Sequence, residues 1–175
     1  LQDISGRESI PQIEVASGMN ATAIVVRHLT SCSERDLQQL TSFGRQQNVR
    51  VYLQSGGPDT IVPLEERGEP LTYRIRASGD TIEFLATDFI QVNDAANQEI
   101  LDSVLHMLAL TQTDRVLELF CGLGNLTLPV ASKVERVVGL DYDEKLVRRA
   151  KDNALFNHKD NVEFIRADLT EAPVG

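Results

Sequence analysis

No run in the 175-residue sequence approaches the roughly 18 consecutive apolar residues that a membrane-spanning helix requires. The opening stretch "LQDISGRESI" has neither the basic start nor the apolar centre of a secretory signal. It also lacks an initiator Met, so the sequence reads as a piece cut from a longer chain. Tryptophan is absent and aromatic residues make up only 5% of the chain. The first half has few aromatics among its arginines, so no base-stacking surface is evident. Cysteine is scarce: Cys32 and Cys121 stand far apart, which excludes a disulfide framework or a CxxC metal site. Two such cysteines suit a reducing, cytoplasmic compartment. His28, His106 and His158 fall on a strand, a helix and a helix end, without metal-ligand spacing. An excess of positive charge is missing too. Through Thr87 there are 8 Arg and no Lys against 11 acids; from Asp88 onward, 9 basic residues face 15 acids, giving −9 in all. Neither half has the basic balance of a self-sufficient nucleic-acid binder, although a local basic patch is compatible with it.

What is present falls into two parts. "QIEVAS" and "TAIVVRHL" are rich in β-branched residues and read as strands about the turn "GMN". Ser33 reads as an N-cap for a helix with Leu37, Leu40 and Phe43 at helical spacing. "VRVYLQ" alternates as a strand, "SGGPD" is a turn cluster, and "LTYRIRAS" with "TIEFLA" predicts a hairpin around "GD". After "DFIQVN", Asn93 can cap a helix whose inward face would be Ile100, Leu101, Val104, Leu105 and Leu108. Then follow the strand "RVLELF", a glycine turn, a short helix through Ser132, the strand "RVVGLD", and an amphipathic helix with Leu146, Val147, Ala150, Ala154 and Leu155 inward. "VEFIRAD" is the last strand. Alternating strands and helices, with near-continuous apolar strands, predict a parallel, Rossmann-like α/β sheet. The expected organisation is a partial α+β domain over residues 1–85 and the N-terminal half of an α/β domain over residues 86–175.

Ligands of such sheets bind outside the carboxyl ends of the strands. Three features sit there: the turn "FCGLGN", Asp141 and Asp168. Gly122 and Gly124 remove the Cβ where a ligand would approach the backbone. Asp141, 23 residues after Glu118, is placed to accept two ribose hydroxyls. Asp168 can accept from an exocyclic amine such as that of adenine. Both NAD and S-adenosyl-L-methionine carry adenosine, and the turn discriminates weakly between them. The dinucleotide fingerprint wants G-x-G-x-x-G, but "GLGNLT" has Thr127 at the third position. A turn of the E-x-x-x-G-x-G kind better suits the amino-acid end of the methyl donor, which has no phosphate. Cys121 lies in this turn without a nearby His and reads as a packing residue rather than a nucleophile.

Taken together, "FIQVN…NQ", "RVLELFCGLGNLTLPVA", "VVGLD" and "NVEFIRAD" resemble the bacterial 23S rRNA (uracil-5-)-methyltransferases of the RumA type, within the wider class that includes the tRNA uracil-5 enzymes. The resemblance is close over residues 86–170 and looser over residues 10–85, including "YLQSGGPD". It implies that Gln91, Phe120, Asn125, Asp141 and Asp168 contact S-adenosyl-L-methionine, with Gly122 and Gly124 giving backbone approach. It implies Phe120 near the cofactor, Asp141 on the ribose and Asp168 near the adenine. The family usually has Glu where this chain has Asp141. The resemblance further implies that the catalytic cysteine and a proton-transferring group lie beyond Gly175. An RNA-binding TRAM domain and the cysteines of a 4Fe–4S cluster would precede Leu1. The expected activity of the intact protein is methylation of carbon 5 of a uridine in 23S rRNA, with the chain itself inactive. The alternatives are a methyltransferase acting on a small molecule or protein, and a non-catalytic adenosine- or NAD-binding module. An unfinished parallel sheet exposes a strand edge, so self-association is also an expectation.

Overall fold

The computed structural model describes residues 4–66 and 68–170. The chain forms two compact units: Leu1–Thr72 with Leu85–Asp88, and Tyr73–Phe84 with Phe89–Gly175. This differs from a division near residue 85. Tyr73–Phe84 belongs with the second unit because side chains of that unit satisfy its backbone, as set out below.

In the first unit β1 (Gln12–Ser17), β2 (Thr22–Arg27), β3 (Val49–Gln54) and β4 (Ile61–Pro63) form one sheet in the order β1-β2-β3-β4. The helix α1 (Glu34–Gln47) is the crossover that makes β2 and β3 parallel; the outer pairs are antiparallel. Ser33 caps α1 as its position suggests, its hydroxyl accepting from the Asp36 N–H at 3.2 Å. Leu40 of α1 packs with Ile4, Val26 and Val51. The short β4 was not legible, because three residues carry no periodicity.

In the second unit β5 (Leu71–Arg74) and β6 (Thr81–Phe84) form the expected hairpin, with β5 starting two residues inside the first unit. The outer edge of β6 is paired by asparagines of α4 (Glu144–Phe156) rather than by a third strand. Asn153 accepts from the Glu83 N–H at 2.8 Å and donates to its carbonyl at 3.1 Å. One helical turn on, Asn157 does the same for Thr81, at 2.7 Å for both bonds. An i, i+4 pair of side-chain amides thus satisfies the backbone of alternate strand residues, which would otherwise be stranded donors and acceptors. This explains a correction to the sequence reading of α4. Asn153, 1% exposed, belongs to the inward face with Val147, Ala150 and Ala154, while Leu155 is exposed. A similar correction applies to α2 (Asp94–Leu108), which Asn93 caps by accepting from the Ala96 N–H. Its buried residues are Asn97, Gln98, Leu101 and Leu105, whereas Ile100 and Leu108 face solvent.

The strands β7 (Arg115–Leu119), β8 (Arg136–Asp141) and β9 (Val162–Arg166) form the parallel sheet, in that order. The register aligns Val116, Val137 and Val162 in one row and Glu118, Gly139 and Phe164 in the next on the same face. That face is covered by α4 and by the short α3 (Thr127–Ala131). Val137 and Leu128 are fully buried here, each contributing about 1.5–3 kcal/mol of transfer free energy. The opposite face is not covered among the described residues: Leu117 is 61% and Leu119 51% exposed. The near-continuous apolar strands therefore have one buried face, not two.

Gly139 sits where Phe164 crosses the sheet. A Cβ there would lie 2.9 Å from Phe164 Cδ1 and 3.0 Å from Cys121 Cβ, neither of which can swing away. Gly139→Ala is expected to destabilise the second unit by about 1–3 kcal/mol, the usual cost of overpacking. Urea denaturation followed by circular dichroism checks this, and an unchanged midpoint would remove the packing account of this row.

Candidate functional site

The carboxyl ends of the three parallel strands are laced together by their backbones. The Cys121 N–H donates to the Leu140 carbonyl at 3.0 Å, and the Ala167 N–H to the Asp141 carbonyl at 2.9 Å. Between β7 and Cys121 the chain must turn sharply, and Phe120 takes the left-handed conformation with φ 60°. A bulky residue adopts this at a cost of roughly 1–2 kcal/mol. The result is an aromatic ring 73% exposed at the mouth of the strands, placed there by strained backbone rather than by packing.

Asp141 closes β8 and is held from two directions. Its Oδ2 accepts from the Gly122 N–H at 2.9 Å and its Oδ1 from the Asp143 N–H at 3.0 Å. Asp143 in turn caps α4. A carboxylate has about four lone-pair sites, so each Asp141 oxygen keeps one for a ligand. The arrangement joins the acid of the second strand to the glycine turn of the first, which spacing alone could only suggest.

The turn itself is built on its two glycines. Gly122 has φ +55° and open space around it, so its requirement is the backbone angle alone. Gly124 has φ +91°, and a Cβ there would come within 3.2 Å of the Phe164 ring that supports the turn from beneath. The amides of both glycines are already engaged, Gly122 with Asp141 and Gly124 with the Cys121 carbonyl at 2.9 Å. These two N–H groups therefore shape the turn and are not spare donors for a phosphate. Thr127, at the third position of the dinucleotide fingerprint, is fully buried and donates its hydroxyl to Glu118 Oε2 at 2.7 Å. A five-residue helix starting on a buried Thr offers little of the anion-binding helix start of dinucleotide sites.

Glu118 is the acid of E-x-x-x-G-x-G. Burial pushes its carboxyl up to about 7, partly offset by the Thr127 hydrogen bond. Burial also pushes the Cys121 thiol up to about 12, with the Glu118 and Asp141 charges adding to the effect. A thiol so poorly ionised is a poor nucleophile, in keeping with a packing role. Cys32, partly buried in the other unit, is likewise a free thiol. An iron–sulfur cluster needs several thiolates together. The chain's two cysteines, Cys32 and Cys121, do not supply such a set.

The remaining expected residues are placed less uniformly. Asn125 lies in the turn and exchanges hydrogen bonds with Asn97, while the Tyr73 hydroxyl donates to its Oδ1. Asp168 is exposed beyond β9; its Oδ1 accepts from the Thr170 hydroxyl at 2.6 Å and the Thr170 N–H at 2.9 Å. Those bonds, the hydroxyl first, hold its carboxyl below the usual range. Gln91 is exposed in the segment leading into α2 and shares no hydrogen bond with the others among the described residues. Sequence reasoning missed Tyr73, Asn97 and Asn153 as neighbours of the turn. For Asn97 a signal existed: it is the Asn of the quoted "NQ".

Residues 7–173 match the family model described as tRNA (Uracil-5-)-methyltransferase. The 23S rRNA (uracil(1939)-C(5))-methyltransferase RlmD of Stenotrophomonas maltophilia (strain K279a) is 43% identical over 171 residues, which are 98% of this chain and 38% of that protein. The protein of the same description from Xanthomonas axonopodis pv. citri (strain 306) is 42% identical over the same shares. The chain thus spans 38% of the length of these curated relatives. Among solved structures, the tRNA (uracil-54, C5)-methyltransferase of Pyrococcus abyssi in complex with S-adenosyl-L-homocysteine superposes with a TM-score of 0.65 at 16% identity. It covers 91% of this chain and 40% of its own. P. horikoshii TYW2 in complex with MeSAdo gives 0.58 at 14% identity, over 95% and 59%. At such identities these structures speak to the fold alone: an α/β, Rossmann-like fold of the methyltransferase kind.

Proposed function

Because the chain belongs to the tRNA (uracil-5-)-methyltransferase family, we propose that the complete protein transfers a methyl group from S-adenosyl-L-methionine to carbon 5 of a uridine in 23S rRNA, in the cytoplasm. This chain supplies most of the cofactor site. The observation that carries the reading is Asp141, fixed against the Gly122 amide with one acceptor position free on each oxygen. Two free acceptors side by side suit the two hydroxyls of a ribose. The glycine turn then faces the amino-acid end of the cofactor, Phe120 offers its exposed ring beside it, and Asp168 lies on the adenine side. When bound, the cofactor supplies a sulfonium-activated methyl group. The residues of this chain bind and orient it, and none of them is assigned the attack on the uracil ring. Both 42–43% identical relatives are described as 23S rRNA enzymes, which supports that substrate over tRNA. Of the described residues, no helix is long and apolar enough to cross a membrane.

The test uses the full-length protein, methyl-labelled S-adenosyl-L-methionine and a mixture of 23S rRNA and tRNA, followed by nucleoside mass spectrometry. Label at carbon 5 of uridine in 23S rRNA is expected. Label confined to tRNA, protein or a small molecule would overturn the reading.

A further inference from the structure

The side chain of Asn125 is largely used up inside the protein. Its Oδ1 accepts from the Tyr73 hydroxyl at 3.0 Å and from Asn97 Nδ2 at 3.1 Å, which takes both lone pairs. Its Nδ2 donates back to Asn97 Oδ1 at 2.9 Å. Only one N–H is left to reach a ligand. Asn97, on the first turns of α2, is buried. Tyr73, on β5, packs its ring against Phe84 with 5.8 Å between centroids. Burial, reinforced by the Asp94 carboxylate, raises the Tyr73 hydroxyl above its usual range, so it remains a donor at every working pH. A second strap holds the same turn: Asn153 Nδ2 donates to the Leu123 carbonyl at 3.2 Å as well as to Glu83. The turn between the two strained or glycine positions Phe120 and Gly124 is therefore gripped through Leu123 and Asn125 from α4, α2 and the β5–β6 hairpin. Satisfied buried polar networks of this kind fix one arrangement, because any alternative leaves several groups unpaired.

We infer that Tyr73 and Asn97 are positioning residues for the amino-acid end of the cofactor, acting through Asn125 and the glycine turn, so that the hairpin is a working part of a site it does not line. The inference rests on the cofactor reading above. It leaves Asn125 one N–H for the direct contact that the resemblance implies.

The experiment titrates the full-length protein by calorimetry with S-adenosyl-L-homocysteine and with 5′-methylthioadenosine, which shares the adenosine but lacks the amino-acid end. Tyr73→Phe removes one hydrogen bond and should weaken S-adenosyl-L-homocysteine about fivefold to tenfold. Asn97→Ala, which removes two of the three hydrogen bonds that hold the Asn125 side chain, should weaken it by about 30-fold or more. Methylthioadenosine should bind within about twofold of wild type in both variants, since neither touches Asp141. Equal weakening of the two ligands, or no change in either, overturns the inference. Should Asn97→Ala fail to fold, Tyr73→Phe decides alone. A wild-type protein that binds neither ligand sinks the cofactor reading, and the inference with it.

Discussion

Asp141→Ala is expected to lower the affinity for S-adenosyl-L-homocysteine by about 100-fold. Two hydrogen bonds from ribose hydroxyls to a charged acceptor would be lost, each worth about 1.5–3 kcal/mol. Not all of that is recovered as affinity, because some is offset by easier desolvation of the empty site, and about 2.7 kcal/mol corresponds to the 100-fold loss. The variant also strands the Gly122 N–H, which donates to Asp141 at 2.9 Å. Both ligands carry the ribose that Asp141 would hold, so methylthioadenosine should weaken along with S-adenosyl-L-homocysteine. Asp141→Glu provides the control. It keeps the charge and restores the residue usual in the family that the sequence resembles, at one methylene more, and should bind within a fewfold of wild type. An Asp141→Ala protein that binds as well as wild type would mean that the ribose is held elsewhere.

Glu118→Gln should stabilise the protein at pH 8 and leave it nearly unchanged at pH 4.5. The sign follows from where the Glu118 carboxyl titrates. In the folded protein burial lifts it to about 7 from an ordinary value of 4.5. Below the ordinary value the group is neutral in both states and folding carries no electrostatic penalty. Between the two values the unfolded chain ionises first, so stability falls as pH rises. Above about 7 the full cost is present, on the order of 3 kcal/mol for such a displacement. Glutamine preserves the shape and can still accept from Thr127, whose hydroxyl lies 2.7 Å from Glu118 Oε2. The difference in unfolding free energy between variant and wild type should therefore grow through pH 4.5 to 7 and then level off. A difference independent of pH would show that Glu118 is ionised throughout.

The alternation of strands and helices was legible because each element announces itself locally. β-Branched runs mark the strands, and Ser33 and Asn93 mark helix starts through side chains that reach only three residues along. The acid at the end of β8 was legible for the same reason: strand length and the preceding glycine turn fix its place. What the sequence hid depends on distant partners. Asn153 looks like a polar break in an apolar helix face, and only the unpaired edge of β6, 70 residues earlier, gives it a reason to be buried. Leu155 reads as inward by periodicity, but the asparagine pair turns α4 so that it faces solvent. Asn97 and Tyr73 could be recognised as neighbours of the glycine turn only once α2 and the hairpin were seen to converge on Asn125. Hydrophobic period records which face is apolar; it does not record where a buried amide is needed.

The most direct measurement is a calorimetric titration of the full-length protein with S-adenosyl-L-homocysteine and, separately, with NAD. The account predicts one-to-one binding of S-adenosyl-L-homocysteine that Asp141→Ala weakens about 100-fold, and no binding of NAD. Binding of NAD in place of the methyl-donor product would contradict it.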